Sequence, residues 1–215
     1  MRLFIAWALS QLFFPQELHS VFLIFKLMHQ PLITYIRKRI SVSEEELSRI
    51  LPCYKPLELK KNEILISEGD PSKRMFFVVK GCLRVFFIKE DGSEVTRRIV
   101  FENAFSTTLV GFITREPSME YTQALMPTTL LYITRDDFYM LLETIPAWEK
   151  FYRLYLEYAY VNNTNRLMSF ITQDAAERYR QLLNDNPEIV QRLPNRIVAS
   201  YLNISPETLS RLKSK

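Results

Sequence analysis

Residues 75–101 read MFFVVKGCLRVFFIKEDGSEVTRRIVF, and this stretch decides the fold. Three runs rich in aromatic and β-branched residues are separated by the turn signals Lys80-Gly81 and Asp91-Gly92. An Asp-Gly pair between two apolar runs is a strong signal for a tight β-hairpin. The stretch therefore predicts consecutive short strands joined by turns.

Similar runs continue on both sides of this stretch. The strand candidates are residues 54–59, 63–66, 75–79, 83–89, 94–101, 107–110, 121–125 and 129–133. Short strands at spacings of about ten residues favour a jelly roll or a barrel. Ahead of them, residues 31–51 predict short helices, with Ser43 and Glu46 in the positions of a capping box.

The period of the sequence changes to a helical one after the last strand. Residues 135–144 predict one helix, and residues 146–172 predict a long second helix whose apolar stripe is too wide for a single neighbour. A set of residues at near-heptad spacing predicts a two-helix seam between subunits. The set is Ile145, Trp148, Tyr152, Tyr155 and Ala159. The alternative is that the whole stripe packs inside one chain.

The C-terminal part predicts more helices, first a pair over residues 176–193 that breaks at Asn186-Pro187. Residues 193–215, LPNRIVASYLNISPETLSRLKSK, then contain two short amphipathic helices and a tight turn. Asn203 stands where the turn needs a left-handed residue, a conformation that Asn tolerates. Ser205 is a good N-cap for the second helix, and Pro206 suits its first position. This pattern predicts a helix-turn-helix.

A recognition helix presents its N-terminal part to base edges in the major groove of DNA. Glu207 is expected to accept from cytosine, and Arg211 is expected to donate to guanine. The predicted DNA-binding residues are Arg196, Ser205, Glu207, Thr208, Ser210, Arg211, Lys213 and Lys215, of which Arg196, Lys213 and Lys215 suit phosphate contacts. The alternative is a plain helical hairpin with a solvated basic face.

The charge distribution agrees with a nucleic-acid partner. The chain has a formal net charge of +4, and residues 194–215 hold four basic residues and one acidic residue. This short segment therefore carries much of the net positive charge, as expected for a DNA-binding end.

Residues 1–27 are mostly apolar, with Arg2, Glu17 and Lys26 as their only charged residues. The apolar runs are too short and interrupted for a spanning helix, so no membrane location is expected. Three interpretations stay open. Translation starts at Met28, or the segment is an ordered or peripheral extension, or it is a targeting segment.

The inventory of reactive side chains excludes several classes of protein. Two cysteines and two histidines are too few for a structural zinc site or an iron–sulfur cluster within one chain. Both histidines precede residue 30, which argues against a metalloenzyme of the cupin type and against a Ser/His/Asp triad in the barrel. We expect a cytoplasmic protein with reduced thiols that is not an enzyme.

Three stretches resemble the CRP/FNR family of bacterial transcription regulators. They are LKKNEIL with EGD at 59–65 and 68–70, FFVVKGCLR at 76–84, and ISPETLSR at 204–211. The resemblance covers residues 28–215 and implies an α+β fold. Residues 28–145 would form a cyclic nucleotide-binding-like jelly roll, 146–173 a dimerisation helix and 174–215 the helix-turn-helix. It also implies a homodimer that binds double-stranded DNA and contacts RNA polymerase.

The ligand site departs from the pattern of the family. Where its cyclic-nucleotide binders carry an Arg-Ser/Thr-Ala triplet, this chain has residues 118–120, Ser-Met-Glu, and Glu120 would repel a phosphate. Arg115 lies about three residues away from the Arg position of the triplet. The base-reading helix also departs from the family, since Pro206 stands where the family often has a basic residue. We therefore expect no cyclic AMP binding and no cofactor, with the effector unassigned.

An effector pocket, if the roll has one, is expected between its inner face and the long helix. The candidate lining residues are Phe105, Thr107, Leu109, Phe112 and Tyr121. The alternative is that these residues simply fill the barrel. The alternative function is a regulatory module that keeps the roll and the long helix but acts by protein contact without binding DNA.

Overall fold

The computed structural model describes residues 16–214, with their side chains from residue 27 onward. Residues 1–15, the first part of the predicted N-terminal extension, and Lys215 lie outside the described residues. The rest of the extension belongs to a helix that continues through Pro31 to Arg37. The predicted set of short helices over 31–51 is therefore partly wrong, because the first of them is the end of a long helix.

Apart from a short helix between the sixth and seventh strands, the elements follow the predicted order. They are α1 (Gln16–Arg37), α2 (Glu44–Ile50), a 3-10 turn (Leu51–Cys53), β1 (Lys55–Leu59), β2 (Ile64–Ile66), β3 (Arg74–Lys80), β4 (Leu83–Ile88), β5 (Glu94–Val100), β6 (Ala104–Ser106), α3 (Leu109–Thr114), β7 (Tyr121–Ala124), β8 (Thr128–Thr134), α4 (Arg135–Thr144), α5 (Pro146–Thr172), α6 (Ala175–Asp185), α7 (Pro187–Arg192), α8 (Asn195–Leu202) and α9 (Pro206–Lys213).

The strands form two antiparallel four-stranded sheets that make a roll. The strand order is β1-β8-β3-β6 in one sheet, called sheet A, and β2-β7-β4-β5 in the other, called sheet B. The predicted β4–β5 hairpin turns at Asp91-Gly92, where Gly92 has a φ of 78° and the Lys89 amide donates to the Ser93 carbonyl at 2.9 Å. The α+β jelly-roll class is confirmed.

Strand β3 lies at the centre of the packing because it is buried on both faces. Phe76 and Val78 point into the roll, where they pack in one core with Leu83 and Leu130 of neighbouring strands. The alternating side chains of β3, such as Phe77, lie in a second core with residues of α1, α4 and α5. Since successive strand residues point to opposite faces, the outer face of sheet A is apolar and must be covered by helices.

Local signals place the helices correctly. The Ser43 side chain accepts from the Glu46 amide at 3.1 Å, and the Glu46 carboxylate accepts from the Ser43 amide at 2.8 Å, which completes the predicted capping box. Pro146 opens the predicted long helix, and Asn186 separates α6 from α7. The domain boundaries inferred from these elements stay predictions.

One predicted strand is wrong. Residues 107–110 do not pair in a sheet, because the sixth strand is Ala104–Ser106 and helix α3 begins at Leu109. The Thr107 hydroxyl donates to the Arg74 carbonyl at 3.0 Å, and the Ser72 hydroxyl donates to the Thr108 carbonyl at 3.0 Å. These long-range bonds lead the chain out of the ladder, although its β-branched residues favour a strand.

Gly81 gives a test of the turn that joins β3 to β4. It has a φ of 100°, and an added Cβ would lie 2.8 Å from the Pro127 carbonyl oxygen and closer still to the Thr128 hydroxyl. We expect Gly81→Ala to lower the free energy of unfolding by about 2–4 kcal/mol, because left-handed strain and steric overlap add. Urea unfolding followed by circular dichroism measures this loss.

Gly92→Ala is the matched control. Gly92 has a φ of 78°, but nothing lies within 4 Å of an added Cβ, so only the backbone strain of about 1–2 kcal/mol applies. Equal losses in the two variants would show that overlap with residues 127–128 is not what fixes Gly81.

Candidate nucleic-acid interface

Helices α8 and α9 form the predicted helix-turn-helix. Asn203 ends α8 in the left-handed conformation with a φ of 53°, and the Ile204 amide donates back to the Ala199 carbonyl at 3.0 Å. Ser205 is the N-cap of α9, where its hydroxyl accepts from the Thr208 amide at 3.2 Å, and Pro206 occupies the first turn. The buried Leu209 packs α9 into the same apolar core as α8.

The predicted base-reading residues share the outer surface of α9. Glu207, Ser210 and Arg211 are exposed, whereas Thr208 is half-buried. The hydroxyl of Ser205 is engaged in capping α9, so its position fixes the start of the helix. The side chain of Arg211 forms no ion pair with another described residue. Its charge is therefore available to an external anion.

Two of the residues predicted to contact phosphates, Arg196 and Lys213, lie where the end of α9 meets the start of α8. The Lys213 ammonium donates to the Asn195 side-chain oxygen at 2.6 Å, which brings the end of α9 beside the start of α8. Arg196 follows Asn195 and is exposed. The structure therefore brings Lys213 close to the segment that carries Arg196.

The electrostatics of α9 favour an ionised carboxylate next to a guanidinium. The pKa of Glu207 is lowered from its ordinary value, first by its own backbone amide, then by the Ser205 hydroxyl and by the charge of Arg211. Glu207 is thus an acceptor of hydrogen bonds, and Arg211, one helical turn later, is a donor. Such a pair has the chemistry that reads cytosine and guanine edges.

The helix-turn-helix shares an apolar core with the roll. Cys82, Phe101 and Leu125 of the roll pack in one cluster with residues of α6 to α9. The C-terminal members are Tyr179, Leu182, Ile189, Leu193, Ile197, Val198, Ala199, Leu202 and Leu209. Burial raises the pKa of the Cys82 thiol to about 12, so this cysteine stays protonated and acts as an apolar packing residue.

An ion pair stands beside this cluster. Arg192 of α7 donates to both carboxylate oxygens of Glu102 at 2.8 Å, and the Gly81 amide donates to the same carboxylate at 2.9 Å. These contacts hold the pKa of Glu102 at about 2, with Arg192 as the largest cause. A bidentate pair of this kind fixes orientation as well as distance.

Sequence reasoning missed a second contact between the roll and the helix-turn-helix. Arg84 of β4 is 1% exposed and donates to the Ser200 hydroxyl of α8 at 3.2 Å. Burial lowers the pKa of Arg84, an effect that the hydrogen bond and charge of Glu94 oppose, while nearby Arg196 acts in the same direction as burial. An arginine in an otherwise apolar strand run was the only signal in the sequence.

The residues predicted for a subunit seam lie mostly inside the chain. Ile145, Trp148 and Tyr155 are 1%, 0% and 5% exposed, and they pack against α1, α4 and sheet A. Tyr152 is half-buried against the ring of Phe138, with the ring centroids 5.1 Å apart. The seam prediction is therefore wrong for Ile145, Trp148 and Tyr155, because the protomer's own core already covers them. Ala159, the last of the predicted set, is half-buried.

A different stripe of α5 remains uncovered. Tyr158, Val161 and Met168 are 58%, 53% and 49% exposed, and they follow the half-buried Leu154. With the exposed Asn165, these residues are spaced four, three, four and three apart, which is a heptad pattern. The seam residues, defined as Leu154, Tyr158, Val161, Asn165 and Met168, thus form one continuous and largely apolar stripe. Tyr160, Leu167 and Ile171 are exposed elsewhere on the helix.

The predicted effector-pocket residues do not share one cavity wall. Phe105 and Phe112 are 1% and 0% exposed in the core under the helices, and Tyr121 stacks on Phe86 with ring centroids 5.3 Å apart. Thr107 is buried with its hydroxyl bonded to Arg74, and Leu109 is half-buried. Phe105 and Phe112 lie in the core between sheet A and the helices, outside the roll, so the alternative that they fill the barrel is also wrong for these two residues.

Glu120, which stands in the segment where cyclic-nucleotide binders of the family carry their triplet, forms an ion pair. Glu120 pairs with Arg97 of β5, and Arg97 also donates to the Asn163 side chain of α5 at 3.4 Å. Arg115 is exposed and ends α3 in a left-handed conformation. The charge of Arg97 is thus neutralised where α5 meets the roll.

Comparison with known proteins identifies the roll. Residues 56–145 match the family described as "Cyclic nucleotide-binding domain". No curated protein sequence matches the chain. No helix within the described residues is long and apolar enough to cross a membrane.

Several solved structures have a fold similar to that of this chain. CLP of Xanthomonas campestris, described as a c-di-GMP responsive global regulator, is 16% identical over 80% of this chain and 90% of its own, with a TM-score of 0.63. A CooA mutant from Carboxydothermus hydrogenoformans is 19% identical over 82% and 85%, with a TM-score of 0.64. A putative regulator of the CRP/FNR family from Eubacterium rectale is 14% identical over 80% and 82%, also with 0.64. At these identities, the likeness shows the fold.

The Glu102–Arg192 pair predicts a specific acid sensitivity. The pKa of Glu102 is depressed from 4.5 to about 2, so its contribution to stability is complete above pH 4.5 and is lost as the pH falls toward 2. We expect Glu102→Gln to remove about 1–3 kcal/mol at pH 7 and less at pH 3, since the partly exposed pair is screened by solvent. Urea unfolding at a series of pH values measures the difference.

Glu90→Gln, in the exposed hairpin turn, is the control, because it removes a carboxylate that forms no ion pair with another described residue, and it should cost less stability at pH 7 than Glu102→Gln. A profile of Glu102→Gln that runs parallel to that of the unaltered protein down to pH 3 would contradict the assignment.

Proposed function

We infer that this chain, in which residues 56–145 are a cyclic nucleotide-binding domain and whose fold is that of CRP/FNR regulators, is a DNA-binding transcription regulator. The observation that carries the proposal is the exposed outer face of α9, where Glu207 and Arg211 stand side by side on a capped helix. A helix-turn-helix inserts this part of its second helix into the major groove.

The roles of the residues follow from their chemistry. Arg211 donates to guanine and Glu207 accepts from cytosine, while Ser210 and the half-buried Thr208 supply smaller polar contacts. Arg196 and Lys213 neutralise phosphates, and Lys215 would add a further charge. Ser205 acts chiefly by capping α9. Base contacts of this kind specify a sequence, whereas the phosphate contacts set affinity and salt dependence.

A homodimer suits both the seam and the DNA. The heptad stripe of α5 exposes apolar side chains that a second copy covers in parallel register. Asn165 within the seam is a polar residue of the kind that fixes register at a cost in stability. Two copies present two recognition helices, and such dimers bind two half-sites related by symmetry.

We propose that the roll does not bind cyclic AMP. A cyclic phosphate needs a free cation, whereas Arg97 is already paired with Glu120. The roll then serves as a scaffold that positions the helix-turn-helix. An effector of the roll would belong to another chemical class than cyclic nucleotides. We further propose that the protein is a cytoplasmic regulator without enzymatic activity and that it contacts RNA polymerase.

Removal of the base-reading arginine tests the proposal. We expect the protein to enrich a palindromic site from random-sequence DNA, and Arg211→Ala to weaken binding to that site by about 1–3 kcal/mol, because one bidentate contact is lost. Fluorescence anisotropy at two salt concentrations measures the affinity and its salt slope.

Arg180→Ala, on the exposed surface of α6, removes the same charge elsewhere and should leave sequence preference unchanged. Absence of any enriched sequence and of salt-dependent binding would reject DNA binding. The protein would then act through protein contacts.

The seam has its own test. We expect Tyr158→Glu to convert the dimer to a folded monomer, because it places a like charge opposite its own copy in an apolar seam. Tyr160→Glu is the matched control, since Tyr160 is also an exposed tyrosine of α5 but lies about 160° around the helix from Tyr158. Light scattering after size-exclusion chromatography gives the masses. Dissociation by Tyr160→Glu alone would move the seam to the side of Leu167 and Ile171.

A further inference from the structure

Strand β5 leaves one edge of sheet B without a strand partner among the described residues. It is last in the order β2-β7-β4-β5, so its outer amides and carbonyls face away from β4. Free edges of this kind are normally covered or blocked, because they pair readily with other chains. In this protein, side chains from two helices take the place of the missing strand.

Ser200 of α8 satisfies the edge at two positions. Its hydroxyl accepts from the Thr96 amide at 3.0 Å and donates to the Glu94 carbonyl at 2.7 Å. The Thr96 carbonyl accepts from Arg166 of α5 at 2.9 Å, and Arg166 also donates to the Tyr201 carbonyl at 2.7 Å. The edge of the roll, the long helix and the helix-turn-helix therefore meet at one point.

The buried side chain of Arg84 links β5 to α8 at this junction. Its Nε donates to the Thr96 hydroxyl at 2.7 Å, one terminal nitrogen pairs with Glu94 at 2.5 Å, and the other donates to Ser200 at 3.2 Å. The guanidinium also lies over the ring of Phe86, 4.2 Å from its centroid. A buried cation that loses its partners is strongly unfavourable, so these bonds form and break together.

A bulge in the hairpin prepares the edge for this contact. The pairing of β4 with β5 shifts between Val85 and Phe86, which face Arg98 and Thr96 respectively. Arg97 is the extra residue, and its side chain points to Glu120 and α5. Bulges bend a strand and re-aim its side chains, so the strand presents Thr96 to α8 and Arg97 to α5.

We propose that Arg84, Thr96, Ser200 and Glu94 form a polar latch that holds the helix-turn-helix in one orientation on the free edge of β5. The apolar cluster around Phe101 supplies attraction but little direction, whereas hydrogen bonds from a rigid guanidinium permit one arrangement. Because α9 packs on α8 through Leu209, the latch fixes where the recognition surface points. A shift of β5 or of α5 reaches α9 through this junction. Its meaning for DNA rests on the proposed function, but the latch itself does not.

The orientation of the helix-turn-helix is measured as a distance between two spin labels. Glu90→Cys on the hairpin turn and Ser210→Cys on α9 place labels at two exposed positions. Cys53→Ser removes the half-buried thiol, and the buried Cys82 thiol, with its pKa of about 12, stays unreactive. An excess of unlabelled chain keeps one labelled protomer in each dimer. Pulsed electron–electron double resonance is expected to give one narrow distribution of distances between the two labels.

Ser200→Ala and Arg84→Met each open the latch. Loss of a buried hydrogen bond to a charged group weakens the docked state by about tenfold to a hundredfold, so a broad or second distance is expected in both variants. Ala keeps the propensity of α8 for helix, so Ser200→Ala carries the test if Arg84→Met fails to fold.

Arg98→Met is the control, because Arg98 is a neighbour on β5 that donates to the Phe105 carbonyl within the roll. It should keep the narrow distance. Unchanged distances in both latch variants, or the same broadening in Arg98→Met, would overturn the latch. No DNA is used, so a failure of DNA binding and a failure of the latch are separate results.

Discussion

The structure depends on strand β3 being buried on both of its faces. A two-sheet roll needs apolar side chains on the inner face of each sheet, and Phe76 and Val78 supply them. The run of β3 is apolar at the alternate positions too, so Phe77 would otherwise face water. The helices α1, α4 and α5 are what cover this outer face. The need to cover sheet A thus determines where the long helix runs.

That need divides α5 into surfaces with different roles. The large aromatic side chains of its first turns pack inside the protomer. The ring centroids of Trp148 and Phe151 are 4.5 Å apart, and those of Phe151 and Phe105 are 5.7 Å apart. Farther along, Arg166 lies on the side that faces the roll and α8. The stripe left uncovered runs through Val161, and it is this stripe that suits a second copy.

Features set by neighbouring residues could be predicted from the sequence. The Asp91-Gly92 turn, the Ser43–Glu46 capping box and the Asn203 and Ser205 positions of the helix-turn-helix all depend on a few adjacent residues, and all are present. The roll also followed, because many short strands with regular turns have few packing solutions. These local signals gave the order of the elements and the composition of α9.

Features set by residues that are distant in the sequence could not be predicted from it. The heptad of Trp148 and Tyr155 looks the same in a sequence whether its partner is a second helix or sheet A, and only the packing shows that sheet A takes it. Residues 107–110 have strand propensity, but bonds to Ser72 and Arg74 lead them away from the sheet. The partners of Arg84 come from β5 and α8, so no spacing rule connects them.

The charged residues of the C-terminal part fall into two groups with separate tasks. Arg192 is bound to Glu102 and Arg166 to backbone carbonyls, so these cations hold the helix-turn-helix on the roll. Arg211 and Arg196 have no such partners among the described residues and remain for an external anion. A count of all positive charges in this part of the chain therefore overstates the charge that is available to an external anion. Because the arginines that dock the helix-turn-helix differ from the arginine that we propose to read bases, a change at Glu102 should alter stability without altering the sequence preference proposed for Arg211.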